Sequence, residues 1–452
     1  MYIISIRILK VNWEAAVKYL GSMKEVDGVL EIGGVLVTQL QNEYGTPLYI
    51  YDLELMERKI KALKDGFISD KFKTTVVYAS KAYLSKAMVQ VVDRMGLHID
   101  AVSAGELHTI LSEKINPKKV HMHGNNKSLE EIEICVEKGI GSIILDNRFE
   151  AKRVAKICRK FGKKMDVMLR LNIGIDAHTH EYIKTAKHTS KFGEFIFDKD
   201  IIEIVRVIVE EEELNFLGFH CHIGSQIFDE LAFYEGIDSM VKFTKEVSKE
   251  LNITIPEINI GGGFGVRYTE GDTDVDLKYL MQKIIDCLEK TLELEKVKIE
   301  KISIEPGRSI VGQAGSTLYT VGGKKETFGG EKYIFIDGGM TDNIRPALYN
   351  AKYESIVANR LLNNEKKEIV SIAGKCCESG DVIIKNTKLG ECSEGDLILV
   401  SCTGAYGHSM SSNYNKALKS AVVFVKSGKS CLVSKRETYE DLLKNDLSLE
   451  DM

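Results

Sequence analysis

Apolar residues in this chain fall into two kinds of run. Short β-branched runs end in polar residues or glycine, and stretches of helical period lie between them. The short runs are Thr74–Ser80, His98–Ser103, Lys119–His123, Ser142–Leu145, Asp166–Leu171, Leu217–His222, Glu257–Ile260 and Lys301–Ile304. Helical periodicity covers Leu84–Met95, Gly105–Glu113, Leu129–Glu137, Phe149–Phe161, Ile201–Glu211, Tyr234–Lys249 and Leu280–Glu293. Strand and helix alternating about eight times predicts an α/β fold, a (β/α)₈ TIM-like barrel. After Arg308 the helices stop. Ser316–Val321, Tyr333–Ile336, Glu368–Ala373, Asp381–Ile384, Asp396–Val400 and Ser420–Lys426 read as strands of a second, β-rich domain, sandwich- or barrel-like, closed by a helix over Glu437–Lys444. Ahead of the barrel, Val29–Val37 reads as a hairpin around Gly33-Gly34, followed by a Gly45-Thr46-Pro47 turn and a strand over Leu48–Tyr51. The pattern divides the chain into an N-terminal extension with strands joining the β-rich domain (1–47), the barrel (48–310) and the C-terminal β-rich domain (311–452).

A length of 452 residues exceeds one ordinary core and agrees with two domains. A net charge of −5 argues against nucleic acid or an anionic membrane as partner. No apolar run approaches the roughly 20 residues that span a bilayer. Met1–Leu9 is apolar but lacks a charged start and a small-residue cleavage site, so no signal peptide is expected. Nine cysteines without a paired framework, two of them adjacent at Cys376 and Cys377, point to thiols in a reducing cytoplasm.

The strand ends carry the chemistry, because a barrel brings all eight to one rim. In order they are Lys81, Ser103, Gly124-Asn125-Asn126, Asp146-Asn147, Arg170 with Asn172, His222, Gly261-Gly262-Gly263 and Glu305. Lys81 is either a strand cap or an amine that attacks a carbonyl once desolvation leaves it neutral. The triglycine is either a plain turn or a cradle whose N–H groups close on a phosphate. Glu305 needs a positive partner on leaving a buried strand. That partner is either Arg308 or a protonated pyridine nitrogen, the feature that makes pyridoxal phosphate an electron sink. His220 and His222 point the same way on their strand; the one nearer the rim could stack on a cofactor ring, with Ser225 donating to its phosphate.

Two rivals stand beside a pyridoxal-phosphate site. Three H-x-H pairs (His121/His123, His178/His180, His220/His222) could bind metal in a barrel hydrolase, although that would leave Lys81, the triglycine and Glu305 unexplained together. A cofactor-free lysine aldolase would use Lys81 but give Glu305 no role.

The motifs Y-A-S-K-A, H-C-H-I-G-S-Q, N-I-G-G-G-F-G and E-P-G-R-S-I-V resemble those of the barrel-type, fold type III pyridoxal-phosphate decarboxylases. In the second domain Gly338–Tyr349, Cys377–Asp381 and Gly404–Gly407 resemble the branch acting on meso-diaminopimelate rather than ornithine or arginine. The similarity runs from about Val29 to Glu440. It implies decarboxylation to L-lysine, with Lys81 binding the cofactor covalently, His222 stacking on its ring and Glu305 pairing with its ring nitrogen. Ser225, Gly261, Gly262, Gly263 and Tyr406 would contact the phosphate. Arg308, Arg345 and Tyr349 would bind substrate carboxylate, Glu378 the distal amine, and Cys377 would supply a proton. Cys377 and Glu378 would come from the second subunit of a homodimer. Asp176–His180 matches a family active-site loop, no metal is implied, and Met1 to about Lys24 has no counterpart. Ile173 stands where the family often has proline. An arginine such as Arg345 suits a remote carboxylate, whereas a diamine decarboxylase would need an acidic group there.

Overall fold

A computed structural model describes residues 19–175, 190–361 and 367–449. The Asp176–His180 stretch and residues 1–18 of the N-terminal segment lie outside these residues. Eight parallel strands form a closed barrel: β1 Lys73–Tyr78, β2 His98–Ala101, β3 Val120–Met122, β4 Ser142–Leu145, β5 Met165–Asn172, β6 Leu214–Cys221, β7 Glu257–Asn259 and β8 Lys301–Ile304. Each pairs with the next; β8 pairs with β1 and β4 with β5, which closes the ring.

All seven expected barrel helices form, with ends shifted by at most four residues. An eighth, Leu53–Gly66, lies outside the predicted set. It packs against Leu277–Glu295 at Gly66, where a Cβ would meet the carbonyl of Lys278 at 2.4 Å. Two strand-end residues serve the fold rather than the rim. Ser103 and Asn147 cap the helices that follow, accepting from the N–H of Glu106 and Glu150.

The second domain is a nine-stranded sheet. Leu48–Asp52, assigned by the sequence division to the barrel segment, lies inside this sheet. It runs antiparallel to Gly315–Glu326 and parallel to Ala421–Lys426. Its five residues are all buried, so neighbours on both edges and both faces hold it there. The chain enters the barrel only at the helix that follows. Ser355–Val357 and Lys429–Ser434 are further strands that the pattern did not reveal. Val29–Ile32 and Val35–Leu36 form the expected hairpin.

The sheet meets the barrel close to β1. Tyr51 stacks on Tyr83 at 4.5 Å between ring centroids and donates to the carbonyl of Gly404 at 2.7 Å. Among the described residues, no helix is long and apolar enough to cross a membrane. No disulfide joins the nine cysteines, all of which lie among the described residues.

Candidate active site

The C-terminal rim of the barrel and the adjoining second domain enclose a cavity of about 660 Å³. Its lining includes Lys81, His222, Ser225, Gly263, Glu305, Arg308, Arg345, Tyr349 and Tyr406. Nine residues widely separated in sequence therefore share one space. Lys81 sits in a single 3₁₀ turn, Ser80–Ala82, directly after β1. It is exposed to the cavity rather than desolvated within a strand. Tyr406, in the left-handed region at φ +60°, donates its N–H to the carbonyl of Ala82 at 2.9 Å. That bond ties the second domain's loop to the residue after Lys81.

Glu305 is the electrostatic floor. Only 9% exposed, it accepts from Asn259 Nδ2 at 2.8 Å and from His220 Nε2 at 3.0 Å. His123 Nε2 lies 3.1 Å from its other side without hydrogen-bond alignment. Burial opposes ionisation, but the facing histidines outweigh it and hold the carboxyl well below the usual carboxylate range. Arg308 is not its partner. That guanidinium donates to Ser225 Oγ at 2.9 Å and to the Tyr268 hydroxyl, and lies over the Tyr406 ring at 4.8 Å. Glu305 is thus a fixed negative charge whose donors leave Arg308 free to face the mouth.

His220 and His222 both border the cavity rather than one of them facing it alone. His220 is buried against Glu305, and His222 is half-buried, its Nδ1 accepting from the N–H of Gly262 at 3.4 Å. Burial, reinforced by the charge of Lys81, lowers His222 to about 3, so its ring is neutral at physiological pH.

The triglycine is packed as much as it is open. A Cβ on Gly261, Gly262 or Gly263 would stand 2.3, 2.0 or 2.4 Å from the carbonyl oxygens of Cys221, Glu305 and Gly224. Glycine is required for this loop to pass between β6 and β8. Of the three, Gly263 lines the cavity.

Cys377 and Glu378 are not brought to the cavity of their own chain. Both are exposed; the Cys377 N–H donates to Asn415 Oδ1, and Glu378 folds back on Ser379 and Gly380.

The cavity also holds residues that sequence reasoning did not single out. Asp100, on β2, accepts from the Ser80 N–H at 2.7 Å and is pushed up to about 6 by burial and by Glu305. A charged residue within the run His-Ile-Asp-Ala was the available signal. His123, conspicuous in the sequence only as half of a metal-like pair, belongs to the Glu305 cluster. Together His123, His220 and Glu305 place ligand atoms within 4.8 Å of one another, which is the foothold of the metal alternative among the described residues. His121 instead pairs with His98 and Ser142, each at 2.8 Å.

A family model for the pyridoxal-dependent decarboxylase, pyridoxal binding domain, matches residues 53–312. The chain is 46% identical over 426 residues to diaminopimelate decarboxylase of Bacillus subtilis (strain 168), covering 94% of this chain and 97% of that one. Against diaminopimelate decarboxylase of Bacillus methanolicus the identity is 44%, with 91% and 95% covered. The crystal structure of diaminopimelate decarboxylase from M. jannaschii in complex with L-lysine superposes with a TM-score of 0.88 at 33% identity, covering 94% of this chain and 98% of that one.

Proposed function

The chain belongs to the diaminopimelate decarboxylases, pyridoxal-phosphate-dependent enzymes that convert meso-2,6-diaminopimelate to L-lysine and carbon dioxide, and we propose that it works through the rim residues described above. The observation that carries this reading is the convergence of Lys81, Glu305 and two arginines on one cavity.

The residues fit the cofactor. A buried carboxylate with a lowered pKa suits a protonated pyridine nitrogen, an amine stands in the same cavity, and Arg308 with Ser225 offers donors to an anion at the mouth. When bound, pyridoxal phosphate supplies an electron sink for the pair released as the carboxylate leaves. Lys81 Nζ would hold it covalently, give way to the substrate amine, and return to free the product. Glu305 would keep the ring nitrogen protonated. Neutral His222 would lie against the ring face without adding charge. Ser225, Gly261, Gly262, Gly263 and Tyr406 would receive the phosphate. Arg308, Arg345 and Tyr349 would bind the carboxylate at the remote end of the substrate.

Cys377 and Glu378 of the partner subunit would complete the site. Glu378 would meet the remote amine, and Cys377 Sγ would return a proton to the carbon that has lost its carboxylate. Their exposure and their absence from the cavity lining of their own chain support a homodimer with shared sites. Cysteines that form no disulfide support a cytoplasmic location.

The test supplies pyridoxal phosphate with meso-diaminopimelate, ornithine or arginine separately and measures carbon dioxide and the amine product. Rapid release from diaminopimelate alone is expected; preference for ornithine would overturn the assignment of Arg345 to a carboxylate.

A further inference from the structure

Tyr268 sits on the loop that follows the triglycine, and its ring is buried behind the two arginines at 9% exposure. Its hydroxyl oxygen accepts from both of them: from Arg308 Nη1 and, at 3.0 Å, from Arg345 Nη1. The same ring lies under both guanidiniums, 5.7 Å from Arg308 and 5.2 Å from Arg345. Arg345 Nη1 also donates to the Tyr353 hydroxyl at 2.6 Å, and the two phenol rings meet edge to face at 5.5 Å.

Two guanidiniums that share one acceptor atom stand close enough to repel strongly in a partly buried site. What holds them together here is a neutral phenol. Burial raises its pKa, so it does not ionise to a phenolate that would cancel their charge. The arginines also come from different domains: Arg308 follows β8, and Arg345 begins the short helix Arg345–Tyr349 of the β-rich domain. Tyr268 itself is anchored independently of both, because the N–H groups of Tyr268 and Thr269 donate to Asp272 Oδ2 at 2.9 and 2.8 Å. A rigid oxygen thus fixes the spacing of two cations that no covalent connection relates.

We infer that Tyr268 is a positioning residue for substrate selection: it sets the two arginines as a pair that recognises the remote carboxylate of an amino-acid substrate while leaving their charge uncompensated until that carboxylate arrives. The inference rests on the reading of Arg308 and Arg345 as carboxylate-binding. Serving through the arginines, Tyr268 affects ligands in proportion to whether they carry that carboxylate.

Two ligands separate this from general support of the fold. Loss of one carboxylate from diaminopimelate leaves the other in place, so L-lysine carries the remote carboxylate; 1,5-diaminopentane lacks it. In the holoenzyme, Tyr268→Phe keeps the ring and its packing but removes the shared acceptor. Its KM for meso-diaminopimelate should rise about tenfold, the equivalent of about 1.4 kcal/mol, with kcat changed less than threefold. Inhibition by L-lysine should weaken by a similar factor, and inhibition by 1,5-diaminopentane should be unchanged. Equal weakening of both inhibitors, or of neither, would overturn the inference. Arg345→Met is measured in parallel. If it weakens L-lysine inhibition while Tyr268→Phe does not, the positioning role alone fails; if it too leaves L-lysine inhibition intact, the arginine reading falls and takes the inference with it.

Discussion

Replacing Glu305 by glutamine isolates the charge of the cavity floor with little structural disturbance. Asn259 and His220 each donate to a different carboxylate oxygen, so an amide, with one oxygen and one NH₂, cannot accept from both. Asn259 is not free to turn round, because its Oδ1 already accepts from the Gly261 N–H at 2.9 Å. His220 is. Burial lowers its pKa to about 4, so the ring is neutral at pH 7, and its buried Nδ1 has no hydrogen-bond partner. Moving the proton to Nδ1 makes Nε2 an acceptor for the glutamine NH₂ at no cost in lost bonds. The change in folding stability is then the difference between a charge-assisted and a neutral hydrogen bond, about 1 kcal/mol. The lost negative charge is another matter. Removing one preorganised electrostatic group from an active site typically costs about 2.7–4 kcal/mol, roughly 100- to 1000-fold in kcat. Saturating turnover of meso-diaminopimelate, cofactor content and thermal unfolding should be measured on the same preparation. A folded, cofactor-bearing variant with kcat down by that factor is expected. Turnover near that of the parent would refute the pairing of Glu305 with the ring nitrogen; loss of cofactor or of folding would refute the account of the His220 proton shift.

Acid should destabilise the protein through its buried neutral histidines. Burial holds His98, His220 and His408 at about 4 and His222 at about 3, so the stability they contribute is present above 6.5 and is lost as pH falls toward those values. Each should cost about 2 kcal/mol between pH 7 and pH 5, while Asp100 and Asp342, raised to about 6 by burial, return about 1.4 kcal/mol each. Thermal unfolding should move down over that interval, and less in His408→Gln, which lies outside the cavity; an upward shift would show that the carboxyls dominate. Inactive Lys81→Ala and Cys377→Ala should regain part of their activity when mixed and allowed to exchange subunits, since a hybrid holds one intact shared site. No recovery under exchange verified by native mass spectrometry would count against the partner's Cys377.

The barrel was readable because each strand is a short apolar run and each helix has a period, and both follow from local burial. Lys81, His222 and Glu305 were readable because they break that pattern at the strand ends. The strand at Leu48–Asp52 was divided off with the barrel segment because a continuous apolar run is the same whether its neighbours are parallel barrel strands or, as here, Gly315–Glu326 and Ala421–Lys426. Its partners lie more than 260 residues away, and no local signal names them. Ser103 and Asn147 stood in the expected rim but cap helices, a role their residue types equally allow. Arg308 is the nearest cation to Glu305 along the chain, three residues away; the observed partners, His220 and Asn259, come from neighbouring strands whose register places them opposite. Tyr268 carried no signal at all, since its importance lies in two arginines that only the folded chain brings together.

On the proposed mechanism the amine of Lys81 carries the cofactor. The most direct measurement adds pyridoxal phosphate to the purified protein, reduces it with borohydride and maps the phosphopyridoxyl group by peptide mass spectrometry. One modified site is expected, in the tryptic peptide Thr74–Lys86 that contains Lys81, and none on Lys127, whose amine is buried in an ion pair with Glu150. Stoichiometric labelling of any other lysine, or a protein that takes no label while fully folded, would contradict it.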